Sequence, residues 1–253
     1  MRTPVNEFKR RLSGDQPLIG FWLTLGDTVS AEVCAGAGFD WVVIDGEHGP
    51  YDARSVLPVL QAMGGYPDCA PVVRVPTGEP WLLKQYLDAG APTVLVPMVD
   101  TAAQARTVVD ACRYPPQGSR GVGGARASRW GRYPDYLKEA NDEVCVLIQV
   151  ETAEALDNLE EILDVEGIDG VFVGAADLAA SLGHPGRAAH PEVQSAIRDA
   201  LALIEKKGLP SGTLATVEEA AHSYVEAGVR FVAVGIDAHL LARHTSALAQ
   251  RFT

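Results

Sequence analysis

The most informative segment for the fold is VCVLIQVETAEALDNLEEILDVEGIDGVFVG, residues 144–174. An apolar run from Val144 to Glu151 is followed by an amphipathic segment from Ala153 to Leu163 and a second apolar run from Gly170 to Gly174. Short β-rich runs separated by apolar residues at helical spacing are typical of a strand–helix–strand unit in a parallel sheet. The stretch therefore predicts an α/β fold.

The same alternation extends in both directions and gives eight β-rich runs in all. The other six are Pro17–Leu23, Trp41–Asp45, Pro71–Val75, Thr93–Met98, Pro210–Leu214 and Phe231–Gly235. The other amphipathic segments include Ser30–Ala37, Glu79–Ala89, Ala102–Cys112, Glu192–Lys207 and Val217–Ala227. Eight strands with intervening helices predict a (β/α)₈ TIM barrel, formed by residues 1–253 as a single domain. In that fold, catalytic groups lie at the carboxyl ends of the strands.

Composition restricts the kinds of partner. The chain of 253 residues has a formal net charge of −12, which disfavours nucleic acid and anionic membranes because both attract positive surfaces. The N-terminus MRTPVNEFKRRL lacks the apolar stretch of a secretion signal, and no apolar run approaches the ~18 residues of a membrane span. The four cysteines include no CxxC pair, as expected for buried thiols. We expect a cytoplasmic protein that acts on a small molecule.

Acidic residues follow the fifth and sixth strands. Because side chains alternate along a strand, Gln149 and Glu151 face the barrel mouth while Val146, Ile148 and Val150 face the helices. Asp177, after the next strand, comes within reach of Glu151, and two convergent carboxylates repel unless a cation or a shared proton lies between them. The pair suits Mg²⁺ or a similar hard divalent ion. Alternatively, each side chain only caps the helix that follows it.

Basic residues at the second and third strands complete the polar set. Arg74 lies between two valines, where its charge needs an anion: a substrate carboxylate or enolate oxygen, or alternatively a structural ion pair with Asp45 or Glu47. His48 directly follows the acidic end of the second strand, and an imidazole is a suitable general base near neutral pH. The other histidines are interpreted as ordinary: His184, His190, His222, His239 and His244.

The lysines discriminate between two ways of forming an enolate. A Schiff-base aldolase needs a desolvated lysine inside the barrel. None of the five lysines lies in a predicted strand; they are Lys9, Lys84, Lys138, Lys206 and Lys207. A metal that acts as a Lewis acid is therefore favoured over covalent imine catalysis.

One glycine-rich stretch, GSRGVGG at 118–124, falls between the fourth and fifth strands. We interpret it as a mobile active-site loop. A phosphate-binding loop is the alternative, although such loops normally follow a strand directly and open a helix.

Five long segments carry a family resemblance. They are WVVIDGEHGP (41–50), PTVLVPMVD (92–100), YPPQGSRGVG (114–123), QVETAEALDN (149–158) and ILDVEGIDGVFVGAADL (162–178). They closely resemble the hydroxy-oxoheptanedioate aldolase family of class II pyruvate aldolases, and the likeness covers nearly the whole chain. It implies a (β/α)₈ barrel, usually a homohexamer built as a trimer of swapped dimers. It also implies aldol cleavage or condensation of 4-hydroxy-2-oxo acids with Mg²⁺, Mn²⁺ or Co²⁺.

The resemblance also implies a role for each matching residue. The metal ligands fall on Glu151 and Asp177, the base on His48 and the enolate-stabilising arginine on Arg74. Asp88 in KQYLDAG matches the aspartate that raises the strength of the base. The remaining matches are Asp45 as a second acidic group beside the base, and Gln149, Ala176 through its backbone, and Gly174 at the pyruvate-binding positions. The family commonly has GPADL where this chain has GAADL at 174–178, and the missing proline is expected to loosen that loop.

Together the residues and the resemblance predict a mechanism. Pyruvate or hydroxypyruvate chelates the metal through its carboxylate and keto oxygens, Arg74 helps to stabilise the enolate, and His48 moves the proton while the enolate attacks an aldehyde. The alternatives are a sugar-acid aldolase of the 2-dehydro-3-deoxyglucarate type and a metal-dependent lyase of coenzyme A thioesters. A phosphate-binding barrel isomerase and a non-catalytic binding protein are more distant alternatives.

Overall fold

The computed structural model describes residues 1–252, and its eight parallel strands close into a barrel in the order β1 to β8. The strands are β1 Leu18–Leu23, β2 Trp41–Asp45, β3 Ala70–Arg74, β4 Thr93–Val96, β5 Cys145–Val150, β6 Gly170–Val173, β7 Ser211–Leu214 and β8 Phe231–Ile236. The helices are α1 Glu7–Leu12, α2 Thr28–Ala35, α3 Ala53–Ala62, α4 Pro80–Ala89, α5 Ala102–Cys112, α6 Tyr136–Glu143, α7 Ala153–Asp157, α8 Leu159–Leu163, α9 Ala175–Ser181, α10 Pro191–Lys206, α11 Glu218–Glu226 and α12 Asp237–Ala249. The predicted (β/α)₈ barrel is confirmed.

Several predicted elements differ from the observed ones by one or two residues at their ends, and two differences have a local structural reason. The fourth strand was predicted to reach Met98 but ends at Val96, because Met98 adopts a left-handed backbone with φ of 55°. The helix predicted over residues 153–163 is divided into α7 and α8 at Asn158. There the side-chain amide of Asn158 donates to the carbonyl of Asp100 at 2.9 Å, which competes with continuous helix geometry.

Aromatic side chains fill the inside of the barrel at its amino end. Phe8 of α1 packs against Trp41 and Phe231, the first residues of β2 and β8, with ring centroids 5.7 and 6.1 Å apart. All three side chains are essentially buried. Helix α1 therefore closes the amino end of the barrel, and the interior of the barrel at this end is a packed core.

Two glycines in the strands make room for these rings. A Cβ at Gly20 would lie 2.1 Å from the Trp41 ring, and one at Gly212 would lie 2.2 Å from the Phe231 ring. Glycine is uncommon inside a strand, and Gly212 lies in the middle of β7. The structure confirms that strand and shows why a side chain is not accommodated there.

The last helix, α12, packs little of its surface against the barrel. Residues 241–252 are exposed, and Leu241 and Leu248 retain 55% and 54% of their accessible surface. Because they are seven residues apart, the two leucines lie on the same face of α12, about two helical turns from each other. Within residues 1–252, no helix is long and apolar enough to cross a membrane.

Candidate active site

A cavity of about 530 Å³ opens at the carboxyl ends of the strands. Its wall brings together most of the residues predicted from the sequence: Asp45, His48, Arg74, Gln149, Glu151, Gly174, Ala176 and Asp177. They lie at or just after the ends of β2, β3, β5 and β6, and the parallel strands place them at one end of the barrel because every strand points the same way.

Glu151 lies at the base of this cavity, immediately after β5, and is 1% exposed. One carboxylate oxygen accepts a hydrogen bond from the backbone N–H of Met98 at 2.9 Å, and the other accepts from the Nε2 amide of Gln149. The left-handed turn at Met98 directs that N–H inward. Burial raises the pKa of Glu151 to about 7, against the effect of the two donors.

Asp177 shares the cavity with Glu151. Gly174 begins α9 as its N-cap and leaves Asp177 in the first helical turn. The negative charges of Glu47 and Asp177 add to the rise in the pKa of Glu151. A Cβ at Gly174 would lie 2.3 Å from a Glu151 carboxylate oxygen, so only glycine lets the two segments approach.

Helix capping does not explain Glu151. Thr152 is the N-cap residue of α7, and its hydroxyl accepts the N–H of Ala155 at 2.9 Å. Within residues 1–252, Glu151 itself accepts only from Gln149 and Met98, which belong to the barrel wall. Its carboxylate is therefore free to face the cavity.

Arg74 is held by two carboxylates. Its Nε and Nη2 donate to the two oxygens of Asp45 at 2.9 and 2.7 Å, and its Nη1 lies 2.7 Å from Glu47 Oε2. The Glu47 contact is an ion pair without hydrogen-bond alignment. The structural ion pair left open from the sequence is therefore present, with both partners.

Asp45 organises the segment that carries His48. Although burial favours the neutral acid, the hydrogen bonds from Arg74 hold the pKa of Asp45 below its usual value. Asp45 Oδ1 also accepts the backbone N–H groups of Glu47 and His48, at 3.1 and 3.2 Å. One ionised carboxylate therefore fixes both the guanidinium and the turn that places the imidazole at the cavity.

The donor set fits a hard divalent cation. Glu151 and Asp177 offer carboxylate oxygens, and Gln149 Oε1 is buried without a hydrogen-bond partner in residues 1–252. Glu151 is stabilised only by neutral N–H groups, so its ionised form lacks a counter-charge in the described chain. A cation between the carboxylates would supply that charge with the oxygen ligands that Mg²⁺ and Mn²⁺ prefer.

This geometry predicts a pH-dependent metal affinity. Because the pKa of Glu151 is raised to about 7, a proton occupies the proposed ligand below that pH and competes with the cation. We expect the affinity for Mg²⁺ to fall about tenfold for each pH unit below about 7, measured by titration calorimetry. Gln149→Leu removes a donor to the carboxylate and should move the transition to higher pH. An affinity independent of pH would contradict this prediction.

Comparison with known proteins identifies the family. Residues 18–244 match the family model described as HpcH/HpaI aldolase/citrate lyase. The chain belongs to this family. A relative from Rhodococcus jostii named 4-hydroxy-2-oxovalerate aldolase is 63% identical over 100% of this chain and 98% of its own. Another from Klebsiella pneumoniae, named 4-hydroxy-2-oxo-heptane-1,7-dioate aldolase, is 56% identical over 98% of this chain and 94% of its own.

A solved structure agrees with these relatives. The HpcH/HpaI aldolase/citrate lyase family protein from Burkholderia cenocepacia has a TM-score of 0.95 and 44% sequence identity, covering 98% of this chain and 99% of that one. The resemblance to hydroxy-oxoheptanedioate aldolases is confirmed, and the chain is an aldolase of the HpcH/HpaI family.

Asp88 is the one predicted site residue that does not line this aldolase's cavity. It lies in the last turn of α4, at the amino end of the barrel, where its carboxylate accepts a hydrogen bond from Arg120 Nη2 at 2.7 Å. The five residues of β2 alone separate that end from His48 by about 16 Å. Within one chain, Asp88 therefore does not contact His48.

The glycine-rich stretch 118–124 also lies away from the cavity. It follows α5, which returns the chain to the amino end of the barrel, and a Cβ at Gly118 would lie 2.4 Å from the carbonyl oxygens of Asp110 and Arg113. The Arg120 side chain is 2% exposed and stacks on the Tyr114 ring at 4.4 Å. The prediction of a mobile loop over this chain's own site was wrong, because a connection after a helix reaches the other end of the barrel.

Several residues that line the aldolase cavity were not predicted from the sequence. Trp22 donates from its indole nitrogen to Asp45 at 2.9 Å, and its ring lies 4.9 Å from the Arg74 guanidinium. Thr24, Thr216 and His239 also line the cavity. Position at a strand end was an available signal for Thr24 and Thr216. His239, on α12, lies beyond the last strand and gave no such signal.

Proposed function

We propose that the protein is a divalent-metal-dependent class II aldolase. It would cleave 4-hydroxy-2-oxo acids to pyruvate, or hydroxypyruvate, and an aldehyde, and catalyse the reverse condensation. One observation supports the proposal above all: the buried carboxylate of Glu151 shares a cavity with Asp177, His48 and Arg74, and the hydrogen bonds it accepts from the described residues come only from neutral groups. We further propose that it works in the cytoplasm, where its four free cysteines would remain reduced.

Glu151 and Asp177 are the proposed ligands of Mg²⁺, Mn²⁺ or Co²⁺. A bound divalent ion would supply Lewis acidity that stabilises the enolate of a 2-oxo acid. The amide of Gln149 and the backbone N–H of Ala176 would orient the donor. A side chain at Gly174 would collide with Glu151, so the glycine leaves space there for the carboxylate of the donor.

His48 is the proposed general base. In condensation it would take a proton from the carbon next to the keto group, and in cleavage from the 4-hydroxyl of the aldol. Asp45 supports this role because it accepts the backbone N–H of His48 and so fixes the turn on which the imidazole lies. The mixed polar and aromatic cavity wall would limit the water that competes for the enolate.

Arg74 is proposed to stabilise developing negative charge. A guanidinium has five N–H donors. Its Nε and Nη2 each direct one N–H group to Asp45, and one N–H group of Nη1 lies beside Glu47. The second N–H groups of Nη1 and Nη2 remain for a substrate oxygen. The two carboxylates thus aim the guanidinium in advance, and little reorganisation is needed as charge develops.

A sugar-acid aldolase of the 2-dehydro-3-deoxyglucarate type is the second candidate. The hydroxyls of Thr24 and Thr216 and the imidazole of His239 line the cavity away from Glu151. These groups can hydrogen-bond to hydroxyls of a polyhydroxylated aldehyde. Competition between short aliphatic aldehydes and hydroxyaldehydes, with pyruvate and then hydroxypyruvate as donor, would distinguish the two substrate classes.

The proposed function is tested by removing and restoring the metal. The chain, treated with a chelator and dialysed, should lose cleavage of a 4-hydroxy-2-oxo acid, measured as pyruvate release. Mg²⁺, Mn²⁺ or Co²⁺ should restore it, whereas Na⁺ at matched ionic strength should not. Full cleavage activity after exhaustive chelation would refute the proposal.

We also propose a homohexamer arranged as a trimer of dimers. The uncovered side of α12 supports it, as does a groove in which Val225, Val234 and Leu240 lie beside charged side chains, which α12 of a second copy would fill. Assembly would also account for Asp88. Because it cannot reach His48 of its own chain, its proposed support of the base requires the site of a neighbouring subunit.

A further inference from the structure

Two histidines stack at the rim of the cavity, outside the residues described above. His184 and His190 lie in the segment between α9 and α10, with ring centroids 3.7 Å apart and ring planes inclined by 18°. The same segment contains Ala188, which lines the catalytic cavity. In the sequence, no motif or strand end distinguishes these two histidines from ordinary loop residues.

Glu192 completes the cluster from the first turn of α10. Its Oε2 lies 2.8 Å from Nε2 of His184, and one potential ligand atom from each of the three side chains lies within 4.8 Å of the other two. Ligands of a single zinc ion, at about 2.0–2.2 Å from the metal, lie roughly 3–3.5 Å from one another. Small side-chain rotations would therefore bring all three onto one ion.

We propose that His184, His190 and Glu192 form a second metal site, selective for a transition metal of the Zn²⁺, Co²⁺ or Ni²⁺ class. Two imidazoles and a carboxylate leave at least one position for water. The nitrogen ligands distinguish this cluster from the all-oxygen set of Glu151 and Asp177, because imidazole suits Zn²⁺ and Ni²⁺ whereas Mg²⁺ prefers oxygen.

The hydrogen bonds of the metal-free cluster are compatible with the replacement of a proton by a metal ion. Arg187 donates to His184 Nδ1 at 3.1 Å, so the ring carries its proton on Nε2 and donates it to Glu192. Metal binding at Nε2 moves that proton to Nδ1 and gives up the contact with Arg187, whose side chain is exposed. At His190 the same change gives up a 3.3 Å contact from the backbone N–H of Glu192.

The site joins two parts of the cavity rim. His184 and His190 bracket Ala188, and Glu192 belongs to the long helix α10. An ion bound to all three would fasten the segment 184–190 to the helix. Binding of this ion would then reduce the mobility of the cavity wall at Ala188, although the ion would not contact the substrate.

Cobalt absorption provides the test. In a Glu151→Gln background, with excess Mg²⁺, we expect one equivalent of Co²⁺ per chain to give visible d–d bands. In the same background, His184→Ala, His190→Ala and Glu192→Gln should each weaken that binding by about 100-fold or more. Because the background lacks one proposed catalytic ligand, the result is independent of the proposed function.

The matched control is His222→Ala. His222 and Glu218 form an exposed histidine–glutamate pair at 3.7 Å, but the described residues place no third ligand beside it. This variant should bind Co²⁺ as tightly as the background does. In both proteins, backbone hydrogen exchange should slow in residues 184–192 when Co²⁺ is added. The proposal is overturned if no Co²⁺ binds, if the cluster variants bind normally, or if protection maps elsewhere.

Discussion

Replacing Glu151 by Gln should lower metal-dependent enolisation of pyruvate by about 10³-fold. The substitution keeps the size of the side chain but removes the negative charge that would bind the cation. A loss of about 4 kcal/mol in enolate stabilisation corresponds to that factor. Exchange of the pyruvate methyl hydrogens for deuterium, followed by NMR, measures the step directly and requires no knowledge of the aldehyde.

The control is Glu154→Gln, an exposed carboxylate in α7 only three residues along the chain. It should exchange at the rate of the unmodified chain, and chelation should abolish exchange in both. The Glu151 variant should also fold normally, because its neutral amide no longer carries the cost of a buried charge. Exchange that survives both the substitution and the chelator would exclude the proposed enolate chemistry.

Arg74→Met should destabilise the fold by about 3–5 kcal/mol and lower aldol cleavage by about 10²–10³-fold. Asp45 is 1% exposed and relies on the guanidinium as its cationic partner. Without it, a buried carboxylate is left uncompensated, and the turn that carries His48 loses its organising charge. Urea denaturation gives the first quantity, and steady-state rates of pyruvate release give the second.

Arg10→Met supplies the matched comparison. Arg10 pairs with Glu7 on the surface, where side-chain exposures of 67% and 52% make the ion pair weak. Its loss should cost at most about 1 kcal/mol and leave the rate unchanged. If Arg74→Met were no more destabilising than Arg10→Met, the buried network would not have the role assigned to it. Arg74→Lys should retain part of the stability because it keeps the charge but loses the bidentate geometry.

The barrel could be predicted from the sequence because strand and helix patterns are local. β2 and α5 have the bounds read from hydrophobic spacing alone. Gln149 and Glu151 could be placed at the mouth of the barrel because alternation along β5 leaves only one face for them. Such inferences need no knowledge of which distant residues meet.

Contacts between residues far apart in the chain could not be predicted from the sequence. The inward N–H of Met98 depends on a left-handed residue that hydrophobic pattern does not reveal. For Arg74, chemistry restricted the partner to an anion without deciding between substrate and protein. Asp88 was predicted to support the base because of the family resemblance. Such a resemblance matches positions along the chain but does not show at which end of the barrel each residue lies.

Barrel closure has a consequence for biosynthesis. β1 pairs with β8, and Phe8 packs against Phe231, so the first and last parts of the chain complete the same interior. While the ribosome still holds residues 231–236, the nascent polypeptide has an unpaired edge at β1 and an unfilled aromatic cluster. It therefore remains exposed to misassociation until β8 has left the ribosome, and chaperone protection matters most during that interval.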